Sequence, residues 1–269
     1  LKRVRHDNWI AEHKGNAIEF EPIWPGKLSE SFLTRGIPRI LFTSATVTRK
    51  TMDLLGITGY TYTEYPSYFP VNNRPIYYIP TVRMDHKAGP AEISAWLARI
   101  EQICSSRPST KGIIHAVSYD RCKRIYHTSS HRNRMMTHES DTTRLVVDRF
   151  KETQDPKILI SPSVVTGFDF PYDQCRWQVI GKLPFPDGRS EVMKARTKID
   201  PDYGMYLTMQ ALIQACGRGT RAPDDFCECF VIDDHFSWFI GKYRSMAQQW
   251  FLNAIKRTNL IPQLPNGGK

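Results

Sequence analysis

From Ile76 onward the chain alternates short apolar segments with segments whose apolar residues recur at helical spacing. The short segments predict buried strands at 76–80, 112–117, 135–138, 157–161, 176–181 and 227–233. The segments whose apolar residues recur at helical spacing predict helices at 90–104, 119–127, 203–217 and 236–255. A further helix is predicted to begin at Asp141, as its capping residue, and to run to about residue 151. This alternation predicts an α/β fold, a parallel sheet with helices on both faces.

The residues before this alternation carry a weaker pattern. Residues 1–37 indicate a strand-like piece and a loop, and the apolar run 38–43 predicts a further buried strand. Thr48 is predicted to cap a short helix that is closed by Gly56. Prolines and asparagines cluster at 65–74, which indicates a boundary between two parts of the chain.

Composition limits the partners and the compartment. Of 269 residues, 41% are hydrophobic, enough for a substantial core. The net charge of +10 favours a polyanionic partner such as nucleic acid, although a merely basic soluble protein explains it equally well.

The six cysteines, Cys227 and Cys229 among them, lack metal-ligand spacing, so we expect buried thiols, no metal site and a reducing, intracellular location. No apolar run reaches membrane-spanning length, so we expect no membrane partner, and because the sequence starts at Leu1 we expect a fragment or a processed form.

The octet 214–221, Gln-Ala-Cys-Gly-Arg-Gly-Thr-Arg, closes a predicted helix just before the last predicted strand. Gln214 precedes Arg218 by four residues and Arg221 follows it by three, so a helical turn would place all three side chains on one face. Two guanidinium groups and an amide aimed together suit the oxygens of a polyphosphate. A salt-bridged surface helix also carries arginines, but it has no use for glycines such as Gly217, each of which costs an exposed helix about 1 kcal/mol.

The segment 163–170 follows a predicted strand, where ligands bind in open α/β sheets. Gly167 permits close approach of the backbone to a ligand. Asp169 can accept a hydrogen bond from a ribose hydroxyl or orient an arginine, and Thr166 can hold a phosphate of a nucleic-acid strand. A tight turn with an Asx hydrogen bond explains the same residues equally well.

The segment 115–119 also ends a predicted strand and opens a helix. Ser118 is a helix cap by default, but a hydroxyl at a helix amino terminus also suits a backbone phosphate. Tyr119 can stack on a base, although core packing explains it more simply. The basic stretch that follows, with Arg121 and Lys123, is either a solvated face or a track along a phosphate backbone.

Five segments in this order resemble the carboxyl-terminal half of superfamily 2 helicases of the Rad3/XPD–DinG group. They are Ser-Ala-Thr at 44–46, a strand ending in Ser-Tyr at 115–119, Thr-Gly-Phe-Asp-Phe at 166–170, Lys-Leu-Pro-Phe-Pro at 182–186, and the octet. The last two are the most specific. The resemblance implies a RecA-like second lobe for residues 75–269 and the end of a first lobe, which contains Ser-Ala-Thr, for residues 1–70.

The resemblance also implies an ATP-dependent DNA helicase of 5′ to 3′ polarity, with roles for individual residues. The residues at the nucleotide would be Gln214, Arg218, Arg221, Gly217, Asp169 and Gly167, of which Arg218 and Arg221 contact the γ-phosphate. The residues at single-stranded DNA would be Ser118, Tyr119, Thr166, Arg121 and Lys123. Ser44 and Thr46 would couple the two lobes.

The sequence departs from the full pattern of that group. It has no phosphate-binding loop and no magnesium carboxylates. The resemblance therefore implies that ATP and Mg²⁺ are bound mainly by an amino-terminal lobe, in the same parent chain or a companion, and that this chain alone hydrolyses no ATP. An iron–sulfur cluster would belong only to the upstream part. Two alternatives stay open, namely another superfamily 2 translocase such as an RNA helicase, and a non-catalytic RecA-like module that binds nucleic acid or a partner protein.

Overall fold

The computed structural model describes residues 8–162 and 167–263, which divide into two compact units. One unit draws its described residues from 1–65 and 185–210, and the other from 66–184 and 211–269. These units are defined by which residues lie close together in space. The predicted lobes 1–70 and 75–269 are defined by resemblance to helicases, which is a different criterion, so their boundaries stay a prediction.

The first unit opens with an antiparallel hairpin of β1 (Trp9–Lys14) and β2 (Ala17–Pro22). Its described helices are α1 (Gly26–Ser29), a short π-helix (Glu30–Thr34), α2 (Arg49–Leu54), α6 (Glu191–Ile199) and the first part, residues 203–210, of α7 (Tyr203–Cys216). Thr48 caps α2 as predicted, because its hydroxyl accepts a hydrogen bond from the backbone N–H of Thr51.

The predicted buried strand at 38–43 is wrong. These residues belong to no helix or strand, and Leu41 is 87% exposed. A strand needs a neighbour that takes up its backbone N–H and C=O groups, and no described strand pairs with this segment. An apolar run therefore lies open to solvent in the first unit.

The second unit contains a seven-stranded parallel sheet. Its strands are β3 (Ile76–Val82), β4 (Gly112–His115), β5 (Met135–Thr137), β6 (Ile158–Ser161), β7 (Trp177–Ile180), β8 (Glu228–Asp233) and β9 (Ile255–Arg257). The helices are α3 (Pro90–Ser106), α4 (Tyr119–Thr128), α5 (Thr143–Glu152), α7 (Tyr203–Cys216, of which residues 211–216 belong to this unit), α8 (His235–Tyr243) and α9 (Gln249–Ala254). The strand order across the sheet is β5-β6-β4-β7-β8-β3-β9, and every adjacent pair is parallel.

Helices cover both faces of this sheet, which confirms the predicted fold class. Successive residues of a strand point to opposite faces. In β4, Ile114 packs with residues of α3 and α4 such as Trp96, whereas the preceding Ile113 packs with Val147 and Phe150 of α5. The strands are buried on both sides, which is why they appear in the sequence as continuous apolar runs.

Two predicted helix boundaries are wrong. Thr142, and not Asp141, is the residue before α5, and its side chain makes no capping hydrogen bond. The predicted helix 236–255 is broken, because a short 3₁₀ turn at Arg244–Met246 separates α8 from α9. After α9 the backbone of Ile255–Arg257 pairs with β3 instead of continuing as a helix. The apolar periodicity continues through the break, so the sequence gives no sign of it.

A buried ion pair lies at the amino-terminal end of β8. Arg107, just after α3, donates from Nε to Oε2 of Glu228 at 2.7 Å and from Nη2 to Oε1 at 3.0 Å. The two side chains are 1% and 0% exposed. Arg107 also donates to the carbonyl of Pro262 at 2.8 Å, so one guanidinium holds α3, β8 and the segment after β9 together. Burial raises the pKa of Glu228 even with Arg107 beside it.

The six cysteines are free and buried. Two pairs lie close, with Sγ–Sγ distances of 3.4 Å for Cys216 and Cys229 and 3.9 Å for Cys175 and Cys227. Within the part of the chain that the structure describes, no group of His, Cys, Asp or Glu side chains could hold a metal ion. In the same part, no helix is both long enough and apolar enough to cross a membrane.

Candidate functional site

The octet does not form one helical turn. Helix α7 ends at Cys216, so Gln214 lies on the helix with an exposed side chain, while Arg218 and Arg221 lie in the loop beyond its end. The backbone N–H of Arg218 still bonds to the carbonyl of Ala215 at 3.3 Å. The two arginines are brought together by this loop and by its contacts with residues 168–170, and not by helical spacing.

Arg218 is buried, at 8% exposure, and has few partners. Its Nη1 donates to the carbonyl of Phe168 at 2.8 Å, and its buried Nε has no hydrogen-bond partner among the residues that the structure describes. Among the described residues no carboxylate forms an ion pair with it. Burial lowers the pKa of Arg218, the positive charge of Arg221 lowers it further, and Asp169 opposes both. A buried guanidinium with an unpartnered N–H donor and no carboxylate beside it among the described residues has the charge and the donor that an anion would use.

Arg221 is paired with Asp169 through Nη2 and Oδ1. The pair is open to solvent, since the side chains are 36% and 64% exposed, so it contributes about 0–1 kcal/mol to stability. The backbone N–H of Arg221 donates to Oδ2 of Asp225 at 2.9 Å. The backbone of Arg221 is therefore fixed while its guanidinium is held only by a weak pair.

Asp225 is a site residue that sequence reasoning missed. Its side chain is fully buried and accepts hydrogen bonds from the backbone N–H groups of Arg221 and Tyr172, at 2.9 and 3.1 Å. It also accepts from Nη1 of Arg176 at 3.2 Å. The only signal in the sequence is an Asp-Asp pair after Pro223, which is typical of any surface turn.

The segment 163–170 lies against the octet, as far as the structure describes it. Thr166 lies outside the described residues. Gly167 is exposed and has a φ of +82°, a conformation that glycine adopts at little cost. Phe168 supplies the carbonyl to Arg218, and the backbone N–H of Phe170 donates to the carbonyl of Arg218 at 3.4 Å. Two segments singled out separately in the sequence thus form one cluster of Arg218, Arg221 and Asp169.

The Ser118 turn lies at the end of β4. Ser118 caps α4, because its Oγ accepts from the backbone N–H of Arg121 and from Arg121 Nη1, both at 3.3 Å. The ring of Tyr119 meets the edge of His138 with centroids 6.4 Å apart, and Lys123 lies 3.8 Å from Oε1 of Glu139 on the surface. The structure therefore joins Ser118 to Arg121 but places Lys123 in an exposed ion pair.

Val117, directly before Ser118, is strained. Its φ is +68°, in the left-handed region that a β-branched side chain avoids. Such a conformation costs about 1–3 kcal/mol and persists where the surroundings impose it, often at functional sites. Here it turns the chain sharply between the end of β4 and the start of α4.

Ser44 and Thr46 lie in a loop of the first unit. The backbone N–H of Thr46 donates to Oγ of Ser44 at 3.2 Å, a local turn that leaves Ser44 exposed. The helix cap in this segment is Thr48, two residues further on.

We expect Gly219→Ala to displace the loop after α7 that carries Arg218 and Arg221. A Cβ at position 219 would lie 2.2 Å from Sγ of Cys227, a contact that the buried strand end cannot relieve without moving. The free energy of unfolding should fall by about 1–3 kcal/mol, measured by urea unfolding. The matched control is Gly217→Ala, where the nearest atom to the new Cβ is 3.4 Å away and stability should change little. Equal effects of the two substitutions would contradict this packing.

The second unit, a parallel sheet with helices on both faces and a buried arginine in a loop beside it, has the architecture of a RecA-like lobe. The helicase C-terminal domain family matches residues 100–254, more than half of the chain. The chain belongs to the helicase C-terminal domain family.

Solved structures agree with this fold. An XPD helicase structure is similar with a TM-score of 0.60 and 15% identity, over 94% of this chain and 48% of that one. The structure of S. cerevisiae Dbp5 bound to RNA and ADP BeF3 is similar with a TM-score of 0.52 and 12% identity, over 80% of this chain and 50% of that one. The chain thus spans about half the length of these two structures. No curated protein matches its sequence.

Proposed function

We propose that this chain is the second motor lobe of an ATP-dependent helicase that moves on single-stranded DNA, and that Arg218 and Arg221 contact the γ-phosphate of ATP held by another lobe. The observation that carries the proposal is Arg218, a guanidinium at 8% exposure with an unpartnered Nε and no acidic partner among the described residues. A buried cation without an anion costs several kcal/mol. A phosphate group would supply the missing charge and accept the unused donors.

Arg221 would reach the same phosphate by leaving Asp169. The exposed pair contributes little, so a ligand with more negative charge than one carboxylate displaces it easily. With both guanidinium groups on the transferring phosphoryl group, its developing charge is stabilised, an effect worth about 10³–10⁵ in rate for arginine fingers. Once Arg221 has moved to the phosphate, Asp169 is free to accept a hydrogen bond from a ribose hydroxyl. Loss of the pair would also change the contacts of residues 167–170, which could pass the presence of nucleotide to the neighbouring segment.

The other parts of the nucleotide site would come from an amino-terminal lobe. That lobe would bring the phosphate-binding loop and the carboxylates for Mg²⁺, which neutralises charge on the phosphates when bound. From this chain, Gln214, Gly217 and Gly167 would lie near the nucleotide. Ser44 and Thr46 would couple the lobes. Any iron–sulfur cluster would also belong to the upstream part.

A nucleic-acid strand would contact the Ser118 turn. Ser118, Tyr119, Arg121, Lys123 and Thr166 are the residues we assign to it. The S. cerevisiae Dbp5 structure, which shares the fold, is bound to both RNA and ADP BeF3, and this supports a nucleic-acid strand as a ligand of such a fold. The proposal also includes DNA as the strand, 5′ to 3′ polarity, membership of the Rad3/XPD–DinG group and an intracellular location.

The test joins this chain to a RecA-like lobe that carries a phosphate loop and magnesium carboxylates, and measures ATP hydrolysis with and without oligothymidylate. We expect no hydrolysis by this chain alone, and hydrolysis stimulated by the single strand in the joined protein. Hydrolysis by the chain alone that Arg221→Ala abolishes would contradict the proposal. Stimulation by single-stranded RNA but not DNA would indicate an RNA translocase, and no hydrolysis in the joined protein would indicate a non-catalytic module.

A further inference from the structure

Lys182 lies beside the Ser118 turn, at the carboxyl ends of two neighbouring strands. His115 of β4 and Ile180 of β7 are register partners, and the backbone N–H of Gly181 donates to the carbonyl of His115 at 3.0 Å. Lys182 therefore leaves β7 at the same edge of the sheet at which Ser118 leaves β4. The two segments are far apart in the sequence, so no local pattern connects them.

The backbone on either side of Lys182 is held by buried residues. The carbonyl of Gly181 accepts from Nε1 of Trp96 at 2.7 Å, and a Cβ at position 181 would lie 3.0 Å from the Trp96 ring. The backbone N–H of Leu183 donates to Oδ2 of the fully buried Asp233 at 2.9 Å. Lys182 is thus a long cationic side chain on a rigid base, suited to hold a charged ligand in a defined place.

Lys182 and Arg121 are neighbouring cations, and neither has an acidic partner in the part of the chain that the structure describes. Lys182 is half-buried, and neither residue forms an ion pair with any described residue. Arg121 donates to Oγ of Ser118, and among the described residues it has no other side-chain acceptor. Burial lowers the pKa of Lys182 and the charge of Arg121 lowers it further, while Asp233 and Asp85 oppose this from a distance. Both oxygens of Asp233 are occupied by N–H donors.

Two like charges placed together in a partly dry environment repel each other, and an anion between them removes the repulsion. A phosphate that bridges the two side chains would meet a fork of N–H donors from arginine and a compact ammonium from lysine. Neither group can read a base at such a contact, so the ligand would be recognised by its phosphate alone.

We propose that Lys182 and Arg121 together bind one backbone phosphate of a nucleic-acid single strand, which makes Lys182 a strand-binding residue. This inference rests on the proposed function, since it adds a contact to the strand path at the Ser118 turn. It also gives a role to the first residue of the Lys-Leu-Pro-Phe-Pro run that the sequence singles out.

The test measures binding of a fluorescent oligothymidylate and an oligodeoxyadenylate by anisotropy at several NaCl concentrations. For Lys182→Ala we expect about five- to tenfold weaker binding of both strands, and a slope of log K against log salt that is smaller by about 0.7. Lys182→Arg should keep the slope. The control Lys198→Ala removes an exposed lysine of α6 that has no ion pair among the described residues, and should change neither quantity.

The outcomes separate this inference from the proposed function. If the Lys182→Ala protein is folded and binds the strand with the same slope of log K against log salt as the wild type, the role of Lys182 is overturned. The helicase proposal then still stands. Absence of strand binding by the wild-type chain overturns both. In a parallel series, sodium phosphate replaces chloride at matched ionic strength; extra displacement of the oligonucleotide, lost in Lys182→Ala, would mean a free-phosphate site and would overturn the assignment to a strand.

Discussion

Replacing Arg218 by alanine is expected to lower the rate of ATP hydrolysis by about 10³–10⁵-fold in the protein that joins this chain to a nucleotide-binding lobe. The reason is that Arg218 carries a buried charge for which the described residues offer no anion, so its interaction energy is available to the transferring phosphoryl group. The loss should fall on kcat more than on KM, because the charge on the phosphoryl group increases in the transition state. Steady-state kinetics at saturating ATP and single strand measure it.

A stability measurement on this chain separates a catalytic from a structural role. Arg218→Met keeps the volume and removes the buried charge, so the free energy of unfolding should be unchanged or higher by about 1 kcal/mol. The hydrogen bond to Phe168 is lost, which limits the gain. A loss of several kcal/mol on urea unfolding would mean that Arg218 holds the fold together, and normal hydrolysis by Arg218→Ala would remove it from the proposed site.

Arg107→Ala is expected to destabilise the second unit by about 3–5 kcal/mol. It leaves the carboxylate of Glu228 buried at 0% exposure without its partner, and it also removes the bond to Pro262. Urea unfolding at neutral pH measures the loss. The control is the double variant Arg107→Met, Glu228→Leu, which replaces both charges by apolar groups and should recover most of the stability.

The loss in Arg107→Ala should depend on pH. Burial raises the pKa of Glu228, so near this pKa the folded protein binds a proton that the unfolded chain releases. Stability from this group therefore falls as the pH rises through the interval between the unfolded and folded pKa values, and it returns as the pH falls. Without Arg107 the pKa of Glu228 rises further. The free energy of unfolding that Arg107→Ala loses relative to the wild type should therefore be smaller at about pH 5 than at about pH 7. A deficit that grows on acidification would contradict this account.

The strands and most helices could be predicted because their signals are local. The apolar runs of β4 and β6, the Ser118 cap and the Thr48 cap all follow from residues within one turn or strand. The segment 38–43 has the same apolar signal as those runs and still forms no strand, because a strand depends on a neighbour that its own residues do not encode.

The candidate site was predictable in its residue types but not in its geometry. Arg218, Arg221 and Asp169 were singled out from the sequence, yet helical spacing was the wrong reason, since the arginines lie beyond the end of α7. What joins them is a backbone carbonyl of Phe168 and the buried carboxylate of Asp225. Contacts of this kind depend on the tertiary fold, and neither a main-chain oxygen nor one aspartate among many leaves a pattern in the sequence.

Strand β9 is one of the two edge strands of the seven-stranded sheet, since among the described strands it pairs only with β3, as β5 pairs only with β6. Its exposed residues include Lys256 and Arg257. A strand from another molecule that added to this edge would have to strip water from both cations, which makes such addition unfavourable. Positive charge that favours polyanions elsewhere on the surface thus also opposes the addition of a further strand at this edge.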